Sequence, residues 1–349
     1  MTPFQEAENR WQGEFKLNSG YFSEATRDDG VYIPSLKYSK PKPVPYCLPV
    51  TCAEETLFPE IREAALAYFR EYGIEWHDKV SGFRPSNHLR DSQVCCVNCL
   101  FPFSSRPEAL VALLRHIFPD IRRVFPFEGD HCVAFEWIGL ENYLNDSLPG
   151  LPRKRGKGCT SSDAAVLFER EGDRREIALL NWKYAEAYDG RPLHVSPAGR
   201  DRVPIYRPFF QQADGSLDQT LVGNFEDLFY DPFDQLIRLQ FLAREMERAR
   251  ELGAERVTLV NIAPAANPDI LTVTAPGLRA LGSTVPEIWH RLVRPADRSV
   301  TITTEELFRA FPLEHWPDLR PWWAYVTGRY RWLKPSESKP ATAGTEERR

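Results

Sequence analysis

At 349 residues, with 42% hydrophobic, 12% aromatic and 27% charged side chains, the chain is long and apolar enough to bury a large core, which excludes an intrinsically disordered protein. Its 44 basic and 49 acidic side chains leave a formal net charge of −5, so a polyanion has to be met by a local basic patch rather than by the overall field. No window reaches the ~20 apolar residues of a bilayer-spanning helix. Met1 opens into Thr2, Pro3, Phe4, Gln5 and Glu6 instead of a basic and then apolar leader, so the expected setting is cytoplasmic, with no membrane.

In chain order, residues 1–45 are polar and rich in turn formers, closing on Lys40-Pro41-Lys42-Pro43-Val44-Pro45, and they predict an extended N-terminal arm. Residues 46–335 predict one α/β domain with its core at about 130–265, and residues 336–349 a disordered tail. Apolar positions recur at helical spacing over residues 54–72 and 107–118, which predicts two amphipathic helices. Between them Cys95, Cys96 and Cys99 sit in an apolar run, where core packing and a zinc knuckle compete; the apolar neighbours favour packing. With seven cysteines, an odd number, a secreted disulfide framework is not expected.

Strands are predicted over residues 164–170 and 176–184, joined by Glu171-Gly172-Asp173-Arg174 as a tight hairpin. Residues 185–230 lack periodicity and predict an excursion from the sheet. Asp231 then reads as an N-cap with Pro232 at the first helical position, leading a helix over 234–252 stopped by Gly253. The β-branched run at 256–263 predicts a buried strand parallel to the second hairpin strand. Five tryptophans within 285–332 predict a packed aromatic subdomain, base stacking being the competing reading.

Hydrolysis of a phosphodiester needs oxygen ligands for a divalent cation, a polarised water and a positive charge near the developing phosphorane. A three-residue turn over Glu171, Gly172 and Asp173 would set Asp163 opposite Asn181, with Lys183 on the same face. The histidines are scattered, without H-E-x-x-H or H-x-E spacing, and neither a phosphate-binding glycine loop nor Gly-x-Ser-x-Gly occurs. Zinc peptidase, P-loop ATPase, dinucleotide-binding and serine-hydrolase chemistries are therefore not expected.

The blocks 158–166 and 179–188, together with Phe135-Glu136-Trp137, Ser92-Gln93, Asn98 and the run 231–238, resemble the PD-(D/E)XK nuclease superfamily. Within it they look most like bacterial restriction-endonuclease-like proteins, over roughly residues 75–265. The resemblance implies an α/β restriction endonuclease-like core, a mixed central sheet flanked by helices, with helical and aromatic additions at both ends. It implies Mg²⁺ (or Mn²⁺) held by Asp163, Glu136 and Asn181, with Lys183 serving the attacking water or the phosphorane. Glu136 resembles an acid contributed from a preceding helix, and Gln235 a glutamine of the following helix. Asn181 departs from the pattern, which has Glu or Asp there, so a metal-dependent DNA endonuclease of restriction or defence against foreign DNA stands beside a catalytically degenerate nucleic-acid-binding or assembly module. DNA is the implied partner, with a homo-oligomer or a defence-system partner left open. Arg153, Lys154, Arg155 and Lys157, just ahead of Asp163, and Arg238 on the later helix are the expected phosphate contacts.

Overall fold

The computed structural model describes residues 1–32, 42–77, 83–147, 150, 152–196 and 199–334. Its first element corrects the sequence reading: residues 1–45 do not run as an extended arm throughout. Thr2 and Gln5 form a reciprocal capping box that starts helix α1, Pro3–Asn18, and this helix buries Glu8, Gln12, Phe15 and Lys16. Among the described residues of the proline strap, Lys42–Val44 is strand, β2, paired antiparallel with β1, Gly30–Tyr32. Helices α2 (Pro59–Glu71), α3 (Ser92–Leu100) and α4 (Pro107–Leu114) follow. In α3 all of Cys95, Cys96 and Cys99 are at most 1% exposed, packed as small apolar side chains.

A six-stranded sheet forms the centre. Strands β3 (Ile121–Phe125) and β4 (Val133–Trp137) share one edge of β5 (Ser162–Arg170). β5 turns back into β6 (Arg175–Trp182), with Ala164 opposite Leu180 and Glu169 opposite Arg175, the register a three-residue turn demands. β7 (Arg256–Ala263) lies parallel to β6, and β8 (Ser299–Thr303) parallel to β7. The crossover from β6 to β7 carries α5 (Val203–Phe210) within the 185–230 excursion, then α6 (Phe233–Ala249). α6 begins after Pro232 and ends at Arg250, whose φ of 50° turns the chain left-handed before Gly253. Helices α7 (Val285–Leu292), α8 (Thr304–Arg309) and α9 (Arg320–Arg329) complete the chain, and the predicted tail at 336–349 lies outside the described residues.

Each face of the sheet has its own core. Ala164, Val166, Phe168, Leu180 and Trp182 pack under α1 to α4, α8 and α9. Ala165, Leu167, Ile177, Leu179 and Leu259 pack against α5, α6 and α7. The alternation of the strands thus sorts side chains into two helical layers around one mixed sheet. Among the described residues no helix is long and apolar enough to cross a membrane.

Candidate active site

The two hairpin strands diverge just short of Asp163. Their ladder ends at Ala164 and Leu180, and beyond it side chains take over the backbone groups. Ser162 Oγ donates to the Leu180 carbonyl at 2.9 Å, and the Trp182 backbone N–H donates to Asp163 Oδ2 at 2.7 Å. This fixes the carboxylate through one oxygen. Among the described residues the other oxygen has no hydrogen bond.

On the far side of β5, Phe135 faces Ala164 and Trp137 faces Ser162, so Glu136 stands beside Asp163. Continuing outward, Asn181 pairs with Asn261 and Asn261 with Thr301. Asn181, Asn261 and Thr301 thus form one paired row, and the registers of β4 and β6 on β5, carried one residue past their last pairs, bring Glu136 and Asp163 into line with it. The next row, Phe135, Ala164, Leu180, Val260, Val300, is wholly apolar. Directly opposed residues in such rows hold their Cβ atoms about 5 Å apart, so the polar row concentrates its oxygens where the strands splay.

Glu136 has a φ of 49°, a left-handed conformation uncommon for a glutamate. Strand alternation breaks there: Phe135 joins one core and Trp137 the other. The displaced carboxylate is 1% exposed, and both of its oxygens have partners. Gln93 Nε2 donates to Oε1 at 2.7 Å, Ser161 Oγ donates to Oε2 at 2.7 Å, and His77 Nε2 lies 3.3 Å from Oε1. Gln93 also accepts the His77 backbone N–H at 2.7 Å, so one side chain orients both partners. It stands at the start of α3, where Asp91 accepts the Val94 N–H at 2.9 Å as N-cap and Ser92 donates to Glu186.

Burial pushes the Asp163 carboxyl up to about 6; Lys183 pulls against that rise and the Glu136 charge adds to it. A carboxylate desolvated beside another carboxylate is short of positive charge. Burial alone would discharge His77, but Glu136, Asp91 and Asp163 outweigh it and hold the imidazole above its ordinary pKa. Lys183 follows β6, its N–H donating to the Ile262 carbonyl at 2.8 Å. The Asn267 amide pins the turn beyond it through the Tyr184 and Glu186 carbonyls, at 3.1 and 3.0 Å. Among the described residues the Lys183 ammonium makes no direct ion pair, yet its charge bears on Asp163, His77 and Asp231.

Of the residues expected from sequence, Asp163, Glu136 and Lys183 come together. Glu136 arrives from strand β4, however, and not from a preceding helix. Asn181 is 3% exposed and gives its amide to Asn261 Oδ1 at 3.0 Å, leaving its own Oδ1 unpaired. Gln235 occupies the first turn of α6, and among the described residues no side-chain hydrogen bond links it to the acids. Arg155 is a correction. Only 9% exposed, it donates to Glu128 at 2.5 Å and to the Phe135 carbonyl, so its guanidinium is spent inside the fold and cannot meet a phosphate. Arg153 ties down the carbonyls of Ile138, Gly139 and Leu140. Lys154 and Lys157 are exposed, and both contact Glu75 at 2.9 Å. Arg238 pairs with Asp234 at 3.0 Å and reaches Thr160 Oγ1 at 3.2 Å.

Sequence reasoning missed His77 and the orienting role of Gln93. His77 has no partner at ligand spacing along the chain. Gln93 carries a signal, Asp91 as a cap that turns the next two side chains toward the sheet end, which reads only once α3 is known to abut β4.

Mg²⁺ binds through one or two carboxylates and completes its shell with water and phosphate oxygens. Asp163, with one oxygen unclaimed, and Glu136, whose charge bears on it, supply two carboxylates toward that demand. Among the described residues no three His, Cys, Asp or Glu side chains converge into a closed cage.

A family model described as "Restriction Endonuclease associating with ARP" matches residues 16–331. No curated protein and no solved structure matches the chain.

Proposed function

The chain belongs to this restriction-endonuclease family, and from that premise we propose that it hydrolyses phosphodiester bonds of DNA with Mg²⁺ or Mn²⁺ held by Asp163 and Glu136. The carrying observation is that Glu136 and Asp163 lie between the flanking pairs Phe135–Ala164 and Trp137–Ser162, and that the Asp163 carboxyl, with the Glu136 charge bearing on it, stays raised to about 6 in spite of Lys183. A divalent cation there would polarise the scissile phosphate and acidify a water. Lys183, on the same strand face two residues beyond Asn181, supplies positive charge for the phosphorane oxygens. His77, in contact with Glu136, is positioned to pass a proton to or from the cleft. Gln93 and Ser161 keep the Glu136 carboxylate aimed, and Ser162 and the Trp182 N–H do the same for the Asp163 segment.

Asn181 bears on the competing, non-cleaving reading. Its amide is committed to Asn261, and the second carboxylate comes from Glu136, so the usual acid at that position is replaced from the neighbouring strand. Purified protein is expected to nick supercoiled plasmid with Mg²⁺ and not with EDTA. Lys183→Ala and Asp163→Asn should each slow the reaction by ~10²-fold or more. Equal rates for all three proteins would overturn the assignment, and tight DNA binding without nicking under any divalent cation would favour the non-cleaving module. A complex with ARP, the partner in the family's description, is the expected assembly, checked by co-expression and gel filtration.

A further inference from the structure

Gly158, Cys159 and Thr160, just ahead of Asp163, help line a polar cavity of about 290 Å³. Arg200, Arg202 and Arg238 line it together with Asp146, Thr160 and Tyr206. Thr160 is 3% exposed and is locked by Asp146, which accepts its N–H at 2.9 Å and the Tyr206 hydroxyl at 3.0 Å. Arg238 donates to Thr160 Oγ1 at 3.2 Å, and Asp234, 2% exposed, bridges Arg238 at 3.0 Å and Arg202 at 3.1 Å. Arg200 caps the carbonyls of Asp146 and Ser147 at 2.9 and 2.8 Å.

The charges do not balance. Three guanidiniums meet two carboxylates, Asp146 and Asp234, and Asp234 sits behind the arginines. Among the described residues Arg202 uses only Nη1, leaving its remaining donors for an occupant. A half-buried set of guanidiniums with spare donors recognises a planar or tetrahedral oxyanion. Thr160 is three residues from Asp163, a span of at most ~10 Å, comparable with neighbouring phosphates on one strand. The cavity also shares Gly158 with a second cleft lined by Arg153, Lys154, Lys157 and Glu75, where Glu75 pairs with both lysines.

We propose that this arginine pocket binds one phosphoryl group of the nucleic-acid strand, next to the phosphate attacked at Asp163. The inference rests on the nuclease reading for the identity of its ligand and for its place beside the attacked phosphate, while phosphate binding in the pocket is read without cleavage. Its test is a methylphosphonate walk: single phosphates of a short duplex are neutralised one at a time, and binding is measured by anisotropy in EDTA. Wild-type protein is expected to lose about tenfold at one position, within two nucleotides of the bond nicked in Mg²⁺. In Arg202→Gln that same neutralisation should have no effect, and the slope of log K against log salt should fall by about 1. Losses spread evenly along the strand, with an unchanged slope in the variant, would overturn the proposal. Inorganic phosphate alone, against chloride at equal ionic strength, separates the sources. A thermal shift in wild type and not in Arg202→Gln, with no position-sensitive effect on DNA, would move the pocket to a free phosphate and sink the DNA reading instead. No shift and no sensitive position would sink the pocket.

Discussion

Asp163 is held by two opposed effects, burial that favours the neutral acid and Lys183 that favours the anion, and burial prevails. With its pKa raised from 3.8 to about 6, the folded protein binds this proton more tightly than the unfolded chain does. The stability so gained is complete below pH 4 and is lost as pH rises through 6. Asp163→Asn keeps an acceptor for the Trp182 N–H and removes the charge, so metal-free protein should gain about 3 kcal/mol at pH 7.5, the gain vanishing below pH 4. Urea denaturation at the two pH values checks this; a destabilised variant at pH 7.5 would mean that attraction to Lys183 outweighs burial. The same proton must leave before the carboxylate can ligate, so Mg²⁺-dependent nicking by the wild type should climb between pH 5 and 7. Individual residues of this kind are legible in sequence only as types. That Asp163 is desolvated and feels the Glu136 charge is set by tertiary packing, and Glu136 breaks its strand's alternation at φ 49°, which no local pattern announces.

At the scale of elements the hairpin was readable because turn length alone sets antiparallel register, and the observed pairing of Ala164 with Leu180 follows from it. The parallel partner β7 was readable from its β-branched run. What stayed hidden is the row those registers create, since Glu136, Asn261 and Thr301 are far apart in the chain and meet only through three separate strand pairings. The row also changes the expectation for Asn181. Taken as a lost acid, Asn181→Glu would restore a ligand; seated at 3% exposure against Asn261, it would instead bury a longer, unpaired carboxylate. We expect Asn181→Glu to cost about 3 kcal/mol or more in chemical denaturation and to leave nicking no faster than in wild type. A stable, faster variant would show that the position is a vacant ligand site. The basic loop was misread for a related reason: four charges in five residues look like a phosphate patch until Glu128 and Glu75 are brought beneath them.

The whole molecule closes through its two ends, which the polar N-terminal sequence concealed. The buried groups of α1 are chiefly polar, Glu8, Asn9, Gln12 and Lys16, so no apolar stripe marks the helix. Gln12 finds its partner in α9, more than 300 residues away: Arg329, 0% exposed, donates to Gln12 Oε1 at 3.1 Å, to the Leu89 carbonyl at 2.8 Å and to Tyr325 Oη at 2.6 Å. Gln12 in turn donates to Tyr184 Oη at 3.0 Å, and Tyr184 gives its proton to Glu8 at 2.5 Å. Burial holds Glu8 above its ordinary pKa, and among the described residues no carboxylate pairs directly with Arg329. This guanidinium is therefore kept by neutral acceptors. Arg329→Met fills similar volume but strands the Gln12 and Leu89 oxygens, so a loss of about 3 kcal/mol is expected. It should appear as a lower urea midpoint with an unchanged slope. Because Tyr184 directly follows Lys183, Arg329→Met should also slow nicking under conditions where the variant is fully folded. A variant that loses stability and yet cleaves at the wild-type rate would show that this strut sets the fold's strength without setting the position of the lysine.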